Sequence, residues 1–311
     1  MYFPYLRGKQ FELIALRELS SLMLKYRDKI SPIIEPIKES STLKSTLKKM
    51  IENNINFNII LNPKVGSIEN PFDKIVKMLS EQINAYSNFQ LAIIVDKKTE
   101  QHISNIIEFL KNIQLNNNGI TLIHYSEIEN NTINKLESQL DIKYNLIYFS
   151  KTSRRYYREF KLDTRVSLDD YFKRLAKNAD YLDVPVSDFS EEYKYYVEDG
   201  FKGFSDFLTI GDNYSESGFL PRAVAIHLSY IDNNKIKVQH FTSDSNQDSS
   251  DVGGKFAEAL EKLVNWCNAN NIDSKGVDIF KGLYASGHFP GLGSVKKISI
   301  MNHIEIVLKN I

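Results

Sequence analysis

The chain has 311 residues, 42% hydrophobic and 25% charged, with 39 basic and 39 acidic residues and a formal net charge of zero. That length and mixture give one large domain or two small ones with a sizeable core, and exclude collagen-like, disordered and disulfide-stapled chains. Balanced charge also argues against a protein that coats nucleic acid by bulk attraction.

The single cysteine, Cys267, cannot pair internally, and no apolar run has the length of a membrane-spanning helix. The start, MYFPYLRGKQFE, lacks the apolar stretch of a secretion signal, so the expected setting is the reducing cytoplasm.

In chain order, Tyr2–Leu6 reads as a short aromatic strand, followed by a helical pattern from Lys9 to Tyr26 in which Leu13, Leu16, Leu19 and Leu22 form a stripe. SPIIEPI (Ser31–Ile37) is a buried strand, and Ser41 or Thr42 can cap a helix through Leu43, Leu47 and Met50. FNIIL (Phe57–Leu61) is a strand stopped by Asn62-Pro63, and Pro71 opens a helix with Ile75, Val76, Leu79 and Ile83 on one face. LAIIV (Leu91–Val95), a helix with Ile103, Ile106, Ile107 and Leu110, ITLI (Ile120–Ile123), a helical segment around Ile133–Leu140, and NLIYF (Asn145–Phe149) continue the alternation.

The strand starts lie roughly 24 to 34 residues apart, the length of a strand–helix unit with a one-helix crossover. Runs such as LAIIV do not alternate with polar residues, as expected of strands buried on both faces of a parallel sheet. Six such units in a row, with no GxGxxG after the first strand, predict an α/β fold of the (β/α)8 TIM-like barrel type rather than a doubly wound sheet.

Beyond Ser150 the pattern loosens. Thr164–Leu168 serves as a seventh strand, a short helix follows through Leu168, Tyr171, Phe172 and Leu175, and FSDFLTI (Phe204–Ile210) serves as an eighth strand. Ala223–Tyr230 and Ile236–Phe241 around Asn233-Asn234 predict a β-hairpin, with Tyr230 opposite Lys237 and His227 opposite His240. Ser243–Asp251 is a polar loop, Lys255–Trp266 a helix, and the Gly-rich tail Gly282–Ile311 ends in a short apolar helix or strand. The expected division is 1–215 as the barrel and 216–311 as hairpin, helix and tail, packed on the barrel as one unit.

In a parallel barrel the site lies at the C-terminal ends of the strands. Glu35, which interrupts an apolar strand, Lys64, Asp96 and His124 are therefore the expected catalytic residues. Arg7, Lys9, Arg154, Arg155 and Asp206 are the expected ligand-binding ones. Two acids, a lysine and an imidazole suit acid–base chemistry on a small anionic or phosphorylated molecule. Hydrolysis is the leading reaction, and a Schiff-base role for Lys64 is open on the same scaffold.

No cofactor or metal is specified. His227 reads first as a core histidine; a metal held between it and the cross-strand His240 is the alternative, without support from an HExxH or HxH spacing. GHFPGLGSVKK (Gly287–Lys297) lacks the order of a phosphate loop and reads as a turn, and Cys267 reads as an inert buried thiol.

Several stretches resemble the beta family of phage and bacterial mobile-element proteins: YFPYLRGKQFELIALREL, SPIIEPI, NADY (Asn178–Tyr181), GFSDF (Gly203–Phe207), AVAIHLSY (Ala223–Tyr230) and SVKKISIMNHIE. The start is similar to a bacterial branch encoded beside a small nuclease-like protein. The resemblance implies a setting in mobile or anti-phage islands, and it implies no particular reaction. It singles out Arg7, Lys9, Glu35, Asp206, His227 and His303, with Asn302 standing where the family often carries a second histidine.

Two functions follow as expectations. One is a hydrolase or ligand-binding barrel for a small anionic molecule. The other is a non-catalytic platform for a nuclease-like partner, with no tight intrinsic affinity for nucleic acid and no membrane association.

Overall fold

A computed structural model describes residues 1–83, 85–216 and 220–311. In chain order the elements are β1 (Tyr2–Leu6), α1 (Gln10–Glu18), α2 (Ser20–Lys25), β2 (Ile33–Ile34), α3 (Ser41–Glu52), β3 (Phe57–Ile60), α4 (Pro71–Ile83) and β4 (Phe89–Val95). They continue with α5 (Lys97–Glu100), α6 (Ile103–Asn112), β5 (Ile120–His124), α7 (Asn130–Gln139), β6 (Ile142–Tyr148), β7 (Arg165–Asp169), β8 (Val186–Ser190), α8 (Glu192–Tyr195) and β9 (Gly203–Asp206). The last elements are β10 (Ala225–Asp232), β11 (Lys235–Thr242), α9 (Val252–Ala269), α10 (Lys275–Ser286) and α11 (Leu292–Asn310).

Strands β1 to β7 and β9 form a closed, all-parallel eight-stranded barrel. It closes where Tyr2, Phe3 and Pro4 of β1 pair with Phe204, Ser205 and Asp206 of β9. The fold is a TIM barrel. The non-alternating runs have the expected cause: every residue of β3, β4 and β5 is buried. The helices follow from their caps and stripes. Ser40 accepts the N–H of Leu43 at 3.1 Å to start α3, Pro71 opens α4 where no N–H is needed, and α6 buries Ile103, Ile106, Ile107 and Leu110.

Several expected elements differ. The helix read from Lys9 to Tyr26 is two helices, broken at Leu19. The strand Ser31–Ile37 shrinks to Ile33–Ile34, because Pro32 and Pro36 on either side have no N–H for a ladder. No helix forms at 168–175, since Leu168 belongs to β7 and the chain after Asp170 is irregular. The eighth barrel strand stops at Asp206, and Leu208 turns the chain with a φ of 52°.

The chain divides into two compact units, one of residues 1–13, 17–170 and 195–206, the other of residues 14–16, 171–194 and 207–311. The second unit differs from the expected 216–311 chiefly by taking in 171–194. The reason is β8, whose sequence shows no long apolar run and which adds to the edge of the hairpin in the order β10-β11-β8.

Within the second unit the hairpin has the expected register, His227 opposite His240 and Tyr230 opposite Lys237. Asn233 and Asn234 both take the left-handed backbone that such a two-residue turn requires. Its core joins Ile226, Leu228 and Phe241 to Phe256, Leu260 and Leu263 of α9 and to Val277 and Phe280 of α10.

The tail is not short. α11 runs for 19 residues and is buried on nearly every side from Ile298 to Leu308. Of GHFPGLGSVKK only residues 287–291 form the turn, with Gly287 ending α10 and Gly291 preceding α11, both at positive φ, while Leu292–Lys297 are already the start of α11. Among the described residues no helix is long and apolar enough to cross a membrane, and no group of three or more His, Cys, Asp or Glu is placed to hold a metal.

Candidate active site at the barrel mouth

Side chains alternate between the faces of a strand, and parallel partners share a face. The registers therefore sort the barrel. Phe3, Tyr5, Ile33, Asn58, Gln90, Ala92, Thr121, Ile123, Leu146, Tyr148 and Ser205 share the inner face, confirmed low in the barrel by the 2.5 Å hydrogen bond from Thr121 to Asn58. Continuing each alternation past the C-terminal strand ends puts Arg7, Glu35, Asp96 and Tyr125 on that same inward-facing side.

These residues meet. Glu35, fully buried, is ion-paired to Arg7 and accepts the Tyr5 hydroxyl at 2.8 Å through Oε2, while Oε1 accepts the backbone N–H of Lys64 at 2.7 Å. Burial first, and the Glu35 charge second, push the Tyr5 phenol well above its ordinary pKa, so it stays a donor. The Lys64 ammonium lies 2.7 Å from Asp96 Oδ2 and 4.8 Å from the Tyr125 ring centre. The Lys151 ammonium lies 4.6 Å from the same ring and 4.1 Å from that of Tyr148.

Asp96 has a second task. Its Oδ1 caps α5, accepting the N–H groups of Lys98 and Thr99 at 3.0 and 2.8 Å. Burial opposes ionisation there, but the Lys64 and Thr99 hydrogen bonds outweigh it and hold the carboxyl below its ordinary pKa.

The other expected site residues lie elsewhere. His124 was expected in the mouth. It sits one pleat out of phase with Ile123 and Tyr125, on the outer face, where Nδ1 meets the Tyr156 hydroxyl at 2.9 Å and Nε2 meets the side-chain Oδ1 of Asn145 at 3.1 Å. Burial lowers its pKa to about 4, partly offset by Asn145, and the neutral ring is fully hydrogen-bonded. Asp206 also faces outward, accepting the Tyr2 hydroxyl at 2.9 Å.

Lys9 acts on Glu12: its charge and backbone N–H favour the buried Glu12 carboxylate, which also accepts the Arg7 N–H at 2.6 Å. Burial nonetheless raises Glu12 to a pKa of about 7. Arg154 and Arg155 are exposed before the short turn Tyr156–Glu159, with Arg155 3.9 Å from Glu159.

Tyr5, Tyr125, Tyr148 and Lys151 are mouth residues that the strand-end reading passed over. Counting by twos from Ile123 finds Tyr125, and from Leu146 finds Tyr148.

The chemistry open to this arrangement is binding more than proton transfer. Three donors engage Glu35, which ties together Arg7, Tyr5 and the Lys64 backbone. Tyr5, Arg7 and Glu35 fill the floor, and the more accessible charges above them are Lys64, Asp96 and Lys151. Two open clefts lie elsewhere, one of about 460 Å³ between α6 and α7 and one of about 310 Å³ beside β11.

No family model matches the chain, and no curated protein matches it. Among solved structures it is similar to a mutant tryptophan synthase alpha-subunit from the hyperthermophile Pyrococcus furiosus, with 10% identity, a TM-score of 0.37, and coverage of 66% of this chain and 86% of that one. It is also similar to an amidohydrolase from Brucella melitensis, with 7% identity, a TM-score of 0.32, and coverage of 98% of this chain and 63% of the amidohydrolase chain.

Proposed function

We propose that the barrel mouth binds a small anionic molecule, phosphorylated or carrying carboxylates, through Lys64 and Lys151. The observation that carries this reading is the convergence of both ammonium groups on the Tyr125 ring, 4.8 and 4.6 Å from its centre. Counting Arg7, Lys64 and Lys151 against Glu35 and Asp96 leaves the mouth one positive charge in excess. Lysine is a mobile point donor suited to phosphate oxygens, while the Arg7–Glu35 pair below keeps the floor rigid. Binding is the part of the expected function that this geometry supports most directly, since Glu35 is engaged by Arg7, Tyr5 and the Lys64 backbone and His124 lies on the outer face.

Calorimetric titration of the full chain with inorganic phosphate and pyrophosphate tests the proposal. Saturable binding weakened at least about tenfold in both Lys64→Ala and Lys151→Ala supports it. Absence of binding at millimolar anion, or binding indifferent to both substitutions, overturns it.

A second reading is a non-catalytic platform for a nuclease-like partner in a cytoplasmic, mobile-element setting. It rests on the family resemblance and is favoured by the mutually satisfied mouth beside exposed Arg154, Arg155 and Arg158. On this reading the isolated chain has no sub-micromolar affinity for DNA or RNA at physiological salt, which an anisotropy titration checks. A co-purifying nuclease-like protein, released by Arg154→Glu with Arg155→Glu, supports it. Retention of that partner by the double variant overturns it.

A further inference from the structure

The cleft of about 310 Å³ beside β11 belongs to the second unit and plays no part in the mouth. It forms because β8 gives out early. The ladder of β8 onto β11 ends at Pro185, whose carbonyl accepts the His240 N–H at 2.8 Å, and among the described residues no strand continues along that edge. Tyr181 and Pro185, from the segment before β8, and Lys262 and Trp266 of α9 line the opening. Alternate residues of a strand share a face, so Lys237, Gln239 and Phe241 point to one side of the sheet. Trp266 packs on that side, its ring centre 5.6 Å from that of Phe241 and 4.9 Å from that of Tyr230, which is opposite Lys237. Gln239 lies between these two contacts and also lines the cleft, so its amide is beside the indole.

The polar groups of the cleft sort by what they already bind. Lys262 donates to the Thr242 carbonyl at 2.8 Å and to Asp244 Oδ1 at 2.7 Å, so its charge is countered. The ring of His240 is engaged through both nitrogens, Nε2 with Ser187 Oγ at 2.9 Å and Nδ1 with His227 Nδ1 at 2.8 Å. Two groups are left over. The half-buried Gln239 amide makes no hydrogen bond to another described residue. Thr242 lines the cleft at 3% exposure, and its hydroxyl has no hydrogen-bond partner among the described residues. A buried polar group left unmet is costly, which favours an occupant with a polar atom to meet it.

What remains for recognition is therefore neutral: an aromatic ring, an amide with donor and acceptor side by side, and a hydroxyl. An anion meets no unspent positive charge here. A flat, uncharged heterocycle matches the set, because it stacks on an indole and because a glutamine amide pairs bidentately with a base edge that carries a donor beside an acceptor, as adenine does at N6 and N7. The volume is at the small end for ligand pockets and suits a single nucleoside rather than a strand. We propose that this cleft binds a free adenine nucleoside. The base stacks on Trp266, and the Gln239 amide donates to N7 and accepts from the N6 amino group. The Thr242 hydroxyl gains the partner it lacks.

Trp266 is the only tryptophan of the chain, so its emission reports on the cleft directly. The full-length protein is titrated with adenosine, followed by tryptophan fluorescence and by calorimetry. The proposal expects saturable quenching with the same midpoint in both. It expects N6,N6-dimethyladenosine, which lacks the N6 donor, to bind the wild type at least about tenfold more weakly, and Gln239→Leu to lose a similar factor for adenosine. Trp266→Leu, followed by calorimetry alone, should lose at least about fivefold. The dimethyl analogue is read on the wild type, so the test stands even if a variant fails to fold. Adenosine carries no charge at neutral pH, so its failure to bind is distinct from a failure of anion binding at the mouth. No saturable response to millimolar adenosine, or an affinity unchanged by N6 dimethylation or in a folded Gln239→Leu or Trp266→Leu protein, overturns the proposal.

Discussion

The backbone N–H of Lys64 donates to the buried carboxylate of Glu35 at 2.7 Å, so the loop after β3 is tied to the end of β2 by a side chain that also holds Arg7 and Tyr5. Glu35 is thus the hub that orders three strand ends, and Lys64 presents its ammonium to Asp96 and Tyr125 from a fixed base.

Removing that hub exposes its structural role. Glu35→Ala removes the ion-pair partner of the buried Arg7 guanidinium, and loss of one partner of a buried pair costs about 3–5 kcal/mol. Urea unfolding should show the loss, and Arg7→Met combined with Glu35→Leu should recover much of it. A Glu35→Ala protein as stable as wild type would contradict the hub role.

Gly8, in the loop after β1, is a backbone requirement beside the same glutamate. Its φ is +64°, and a Cβ would meet the Glu35 carbonyl oxygen at 2.7 Å. Gly8→Ala should destabilise by more than about 1 kcal/mol, from left-handed strain plus displacement of the chain beside Glu35. A thermal melt of the variant checks this, together with a weaker response to phosphate if the mouth binds it.

The acid limb of stability should carry the mark of His124. Its folded pKa of about 4 lies below the ordinary 6.5, so the unfolded chain takes up the proton first as pH falls. Its contribution is full above pH 6.5 and is lost between there and about pH 4, up to roughly 3 kcal/mol. Denaturant unfolding at a series of pH values should show a shallower slope in His124→Gln across that window.

Glu12 should act in the opposite direction. Its folded pKa of about 7 lies above the ordinary 4.5, so the folded chain holds the proton longer as pH rises. Stability from this group is present below pH 4.5 and falls as pH climbs to about 7, again by up to roughly 3 kcal/mol. Glu12→Gln should therefore gain on wild type at about pH 8 more than at about pH 4, in paired urea titrations.

The sequence by itself determined the barrel, the hairpin and the strand ends where the candidate site was sought. Strand spacing is set by the length of one crossover helix, burial on both faces shows as unbroken apolar runs, and Asn233-Asn234 sets the hairpin register through backbone geometry that few residues share. These are local properties, read within a few dozen residues. Arg7, Glu35, Lys64 and Asp96 were legible because strand ends in a parallel barrel converge.

Only the tertiary structure decided which face each side chain takes and what meets it there. His124 and Tyr125 are neighbours in sequence, yet a one-residue step in a strand turns a side chain to the other face, so one is in the outer layer and the other in the mouth. β8 escaped the sequence reading because an edge strand of alternating, polar residues has no apolar run to betray it, and its pairing partner lies some fifty residues on. The same distance hid Ser187 from His240. Their contact exists because two segments with no local signal for each other complete one sheet, and side-chain chemistry of that kind is written in the packing rather than in the spacing.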